Sequence, residues 1–125
     1  MTTVQILSAL VAVATFTLCV QGHPEYIALI PNGLNLVDPC NPNITAHGVG
    51  HINPDGAGPL NPFGMDFVAE CRKWTQELCQ KDSDGDGLTN GQELGDPDCV
   101  WSIGLTPALS TGLSHPGVNE KTVQC

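Results

Sequence analysis

The sequence predicts a small disulfide-rich secreted α+β domain, with one central amphipathic helix leading into an EF-hand-like calcium loop and much irregular loop around both. Three observations carry this reading. Residues 82–93 read Asp-Ser-Asp-Gly-Asp-Gly-Leu-Thr-Asn-Gly-Gln-Glu, with carboxylates at alternate places and a glutamate at the end. The residues just before them repeat apolar side chains three or four apart. Cysteines recur along a chain that opens on an apolar leader, and a Gly- and Pro-rich core of this size needs cross-links to hold together.

The leader comes first. Residues 6–20 are almost continuously apolar or small, followed by Gln21 and Gly22. This is read as a signal peptide over 1–22 cleaved after Gly22, although 1–5 lack the basic residues of a standard n-region. The run falls short of the roughly 20 residues a membrane span needs. The mature part, 23–125, is a single domain. Its 4 basic residues against 13 acidic give a net charge of −9, which argues against nucleic acid or anionic membrane as partners. Of 6 cysteines, Cys19 belongs to the leader, leaving Cys40, Cys71, Cys79, Cys99 and Cys125. An odd number leaves one thiol over.

Along the chain, Tyr26-Ile27-Ala28-Leu29-Ile30 reads as a short strand, stopped by Pro31-Asn32-Gly33, with 34–37 returning beside it. Asn43-Ile44-Thr45 is a glycosylation sequon at Asn43. Residues 46–62 show no period and read as an ordered loop. Asn61 is a candidate N-cap with Pro62 in the first helical position, where its missing N–H costs nothing. Phe63, Phe67, Cys71, Trp74 and Leu78 then form one apolar stripe, predicting a helix to about Gln80. Beyond the acidic loop, 90–94 allow little more than one turn before Gly95-Asp96-Pro97. Val100-Trp101 are expected in the core, and 102–119 as packed loop.

In the acidic loop, Asp82, Asp84 and Asp86 occupy positions 1, 3 and 5. Leu88 offers a carbonyl at 7, Asn90 stands at 9, and Glu93 at 12 closes the set with two oxygens. Ca²⁺ seeks roughly 6–8 oxygen ligands, and glycine at position 6 (Gly87) allows the tight wrap. Thr89 at position 8 replaces the branched apolar residue through which paired EF-hands associate. With no second loop, the site reads as a lone structural clamp. Cys79 and Cys99 bracket it, so a bond between them would close the unit, and Cys40–Cys125 would tie the front loop to the tail. Cys71, mid-stripe, is the expected free thiol.

Catalysis has little basis here. No serine sits in a nucleophile elbow, and Cys71 on a core face is poorly placed to attack anything. The chain is therefore expected not to be an enzyme. His23, His47, His51 and His115 form the one tempting constellation, as ligands of copper or another metal. The plainer reading is loop histidines bonded to backbone.

Ile30-Pro31-Asn32-Gly33, Gly48-Val49-Gly50-His51, the stretch 58–67, the loop 82–93, Asp96-Pro97-Asp98-Cys99-Val100-Trp101 and Leu113-Ser114-His115-Pro116-Gly117 together resemble the temptin family. Its members are water-borne protein pheromone components of sea hares and related molluscs, and the resemblance spans essentially all of 23–125. It implies a secreted, extracellular protein that binds a small attractin-like peptide pheromone and promotes attraction and mating. It also implies a loose comparison with EGF-like calcium modules, whose cysteines lie closer together than here. Relatives carry a cysteine just after His-Pro-Gly, where this chain has Val118 and Asn119, so the Cys40–Cys125 pairing takes the late cysteine as its replacement. A structural calcium-binding egg-coat or matrix protein is the first alternative, and a histidine–copper enzyme the second. The expected partner surface is the 46–62 loop, with Val49, Ile52 and Leu60, and with His115 beside it.

Overall fold

A computed structural model describes residues 26–125, and the signal peptide expected over 1–22 and His23 lie outside the described residues. The order is a 3-10 turn (Tyr26–Leu29), β1 (Val37–Asp38), β2 (Asn41–Thr45), α1 (Pro62–Ala69), α2 (Gln76–Gln80) and α3 (Asn90–Leu94). The rest is loop, so the small disulfide-rich α+β class stands.

The chain at 26–30 is helical where the sequence predicts a strand. Tyr26, Ile27, Leu29 and Ile30 all reach the same core, which a strand would prevent by turning alternate residues outward. Tyr26 sets its ring edge-on to Phe67, with centroids 6.4 Å apart. The following Pro31-Asn32-Gly33 turn anchors the chain in place of returning a strand. Asn32, in the left-handed region, donates from its side-chain amide to Leu94 O (2.8 Å) and Leu109 O (2.7 Å). The hairpin comes later. β1 and β2 pair antiparallel with Val37 opposite Thr45, and the Asp38 carboxylate accepts from the Cys40 N–H across the turn.

The single helix predicted for 62–80 is two helices. It begins as expected: Asn61 caps α1, accepting from Gly64 N–H, and Pro62 occupies the first turn. It ends at Ala69 because the chain closes a Schellman motif. Arg72 N–H donates to Phe67 O and Cys71 N–H to Val68 O, with Cys71 and Arg72 both at φ 57°. Thr75 then caps α2 by accepting from Leu78 N–H. The apolar stripe is thus divided: Phe63 and Phe67 stack within α1 (6.0 Å between centroids), while Leu78 enters the core from α2.

The core is Ile30, Leu36, Ala46, Val49, Phe63, Phe67, Leu78 and Leu94. Ala46 and Val49 bring the 46–62 loop into it, and the Asn61 amide locks that loop down by donating to Val49 O (2.7 Å) and His51 O (3.1 Å). Gly50 passes so close to Gly64 that a Cβ on Gly64 would collide with the Gly50 carbonyl.

Val100-Trp101 are not core residues. Val100 is 70% exposed and Trp101 only half-buried. Buried Asp96 is the reason. Its carboxylate accepts from the Val100 and Trp101 N–H groups and from the Trp74 indole (2.8 Å), turning the chain outward at that point.

Two bonds join Cys40 to Cys125 and Cys79 to Cys99, with separations of 85 and 20 residues. Cys71 is not the free thiol expected. It is disulfide-bonded. The Schellman turn takes it off the helical stripe on which the free-thiol reading rested.

Candidate metal centre

The 82–93 loop joins α2 to α3 and is shaped by its own side chains. Asp82 takes the N–H groups of Gly85 (2.9 Å) and Gly87 (2.9 Å), one on each carboxylate oxygen. Asp84 accepts from Asp86 N–H, and Asp86 from Leu88 N–H. Gly85 and Gly87 both hold positive φ, where a side chain would be strained. The result gathers one oxygen from each of Asp82, Asp84 and Asp86 within 4.8 Å of one another.

Thr89 caps α3 in a reciprocal box with Gln92, and this turn delivers Glu93 inward. Glu93 is 1% exposed. Its Oε1 accepts from Ser114 Oγ (3.0 Å), whereas Oε2 has no partner. Asp84 Oδ2 is likewise buried and unpartnered. Burial pushes the Glu93 carboxyl up to about 9, helped by the neighbouring carboxylates of Asp86 and Asp84. Burial similarly lifts Asp84 to about 7, with Asp86 and Asp82 adding to it. For Asp86, burial is outweighed by contacts with Glu93, the Leu88 N–H and Lys121, so its carboxyl lies below the ordinary value. Converging acids with two orphaned oxygens fit a hard divalent cation, which accepts oxygen donors and offsets their mutual repulsion.

Asn90, at position 9 of the expected ligand set, is held by hydrogen bonds within the protein. Its amide donates to Leu78 O and Ser83 Oγ, both at 2.8 Å, so the side chain straps the end of α2 to the loop. Leu88 presents its side chain to solvent at the loop's outer edge. Two tail residues escaped sequence reasoning: Ser114 on Glu93, and Lys121, whose ammonium donates to Asp86 O at 2.7 Å. They lie 21 and 35 residues away in sequence, and no local pattern announces them.

Among the described residues the histidines do not converge. His47 is exposed, and the His51 ring bonds Gly58 O (3.1 Å). His115 is 4% exposed, and its Nδ1 accepts from Gly117 N–H (3.1 Å). Burial lowers His115 to about 4, partly opposed by Asp38, so it is a neutral structural ring. That burial also removes it from the expected partner surface. Val49 is buried too and Leu60 half-buried, leaving Ile52 as the outward apolar residue of the three. Asn43 is exposed on β2.

These parts define a small extracellular-type domain, braced by disulfides around a carboxylate loop. Among its described residues no helix is long and apolar enough to cross a membrane. The family described as Temptin C-terminal matches residues 20–118. The chain is also 56% identical over 119 residues, 95% of each sequence, to temptin of Aplysia californica. It belongs to the temptin family. No solved structure matches it.

Proposed function

We propose that this is a secreted, non-catalytic pheromone component that binds a small attractin-like peptide and uses calcium as a structural brace. The observation carrying the binding half is an uncharged, apolar outer face. Residues 99–119 contain no Asp, Glu, Lys or Arg in a chain of net charge −9. Within that stretch Val100, Ile103 (66%), Leu105 (57%) and Leu109 stand exposed, and Leu34 joins them. A groove of about 300 Å³ runs between Leu34, Leu105 and Trp101, whose indole is pinned by donation to Leu105 O. A fixed aromatic beside exposed aliphatic residues is the composition of a binding hot spot, and little ordering entropy is lost on docking. A peptide that is neutral or basic suits the charge of the chain around it.

For calcium, Asp82, Asp84, Asp86 and Glu93 would supply side-chain oxygens and Leu88 its carbonyl. The ion would neutralise the acids between α2 and α3. The exposed sequon at Asn43 supports glycosylation, and the disulfides fit an oxidising, extracellular setting.

The test is capture of small peptides from egg-cordon eluate by the calcium-loaded protein, compared with Ile103→Asp and Leu105→Asp. Saturable retention of a small secreted peptide by the parent, lost in both variants, is expected. Retention unchanged in the variants would remove this face. Self-association of the parent with no peptide retained would leave the structural egg-coat reading ahead.

A further inference from the structure

Across the 3-10 turn from that groove, and sharing Ile27 and Ile30 with it, a cleft of about 430 Å³ opens between the turn, the 46–51 stretch and α1. Ile30, Val49, Phe63 and Phe67 give it an apolar floor. Arg72 stands at its edge, with the guanidinium 5.1 Å from the centroid of the Tyr26 ring.

Two observations set Arg72 apart. The chain has 13 acidic residues for 4 basic ones, yet among the described residues none of those acids pairs with Arg72. Lys81, by contrast, lies 3.7 Å from Asp66, and Lys121 bonds Asp86 O, while Lys73, also without an acid, is exposed to water where Arg72 is half-buried. Secondly, Arg72 holds φ 57° directly after Cys71 at the same value. Two consecutive non-glycine residues in the left-handed region are costly, and such backbone persists where the surroundings enforce it, often at functional sites. The turn carries Arg72 off the helix and onto Tyr26. One face of the guanidinium is thus occupied by the ring, while its N–H donors have no acceptor among the described residues.

We propose that this cleft binds a small molecule with an apolar body and a single carboxylate. The carboxylate would take the Arg72 N–H groups, for which the planar fork is matched, and the apolar body would lie over Phe63 and Phe67. The volume is within the usual range for small-ligand pockets, roughly 300–1,000 Å³. The walls are already set by the Gly50–Gly64 contact and the Asn61 amide bonds, so little is left to order on binding. Asp55, the lining carboxylate, is exposed and screened by water, whereas Arg72 is half-buried. At physiological ionic strength the Debye length is about 8 Å, so the acids elsewhere on the chain repel the ligand only weakly.

Calorimetry on the whole chain at neutral pH, with decanoate and decanol as probes, tests this. Decanoate is expected to bind saturably and about tenfold more tightly than decanol, in keeping with a charge-assisted hydrogen bond. Arg72→Asn, chosen because asparagine tolerates the left-handed region, should bring the two affinities together. Arg72→Lys should keep part of the difference. Amide shifts on decanoate addition should centre on Gly48 and Gly50. Equal binding of decanol by the parent, an undiminished preference in Arg72→Asn, shifts centred elsewhere, or no saturable binding would each overturn the proposal. None of these outcomes depends on the peptide or calcium readings.

Discussion

Glu93→Gln should change stability in opposite directions with and without calcium. Without the ion, a carboxyl titrating at about 9 in the fold and near 4.5 in the unfolded chain is protonated when folded and ionised when unfolded across that window. The unfolded state releases the proton, so the ion-free fold loses stability as pH rises from 4.5 to 9. At pH 7.5 the loss covers three pH units at about 1.4 kcal/mol each, or about 4 kcal/mol. Glutamine has the shape of the protonated acid and no proton to lose. Its oxygen can still accept from Ser114, and its NH₂ can donate toward the Asp86 carboxylate. The variant should therefore be more stable than the parent in chelator, by up to about 4 kcal/mol. In calcium the order reverses, because the parent gains the binding free energy and the variant has lost an ionised ligand. Urea unfolding of both proteins at pH 7.5, in chelator and in millimolar calcium, reads both effects. A variant less stable than the parent in chelator, or equal calcium stabilisation of the two, would refute the reasoning.

Other outcomes follow from the packing. His115 is neutral in the fold at about 4 against 6.5 unfolded, so its contribution is complete above pH 6.5 and is lost as pH falls toward 4. The loss is about 3 kcal/mol, and the difference between parent and His115→Asn unfolding curves over that range should show it. Gly64→Ala would drive a methyl into the Gly50 carbonyl and should lower stability by about 1–3 kcal/mol in denaturant unfolding. Replacing both Cys79 and Cys99 by serine opens a 20-residue ring and should cost about 3 kcal/mol, part of it restored by calcium if the ion braces the same segment.

What the sequence made legible was whatever local chemistry dictates. Asn61-Pro62 marked the start of α1, Gly95 the end of α3, and the Asp-Gly spacing the shape of the loop. The break after Ala69 was hidden because Cys71 and Arg72, with no glycine, perform the Schellman turn; the cap at Thr75 was present but overridden by the apolar stripe. The run at 26–30 is too short for its periodicity to separate a strand from a helical turn, and tertiary packing on Phe67 decided it. Asn90 could be counted as a ligand from spacing, yet its amide joins the Lys81 N–H on the Leu78 carbonyl at the end of α2. Ser114 and Lys121 reach the carboxylates only because the tail folds back, which is a property of the whole chain. Burial of His115 is hidden for the same reason.

The Cys40–Cys125 bond makes the chain between those residues a closed ring, and Cys79–Cys99 a smaller ring inside it. A single peptide-bond cut anywhere from 41 to 124, including the exposed 100–112 stretch most open to a protease, therefore releases no fragment. The severed ends remain covalently attached through the rest of the ring, and the molecule keeps its mass and most of its surface. If the protein acts in open water, as proposed above, that geometry lets damage accumulate as nicks before it becomes loss.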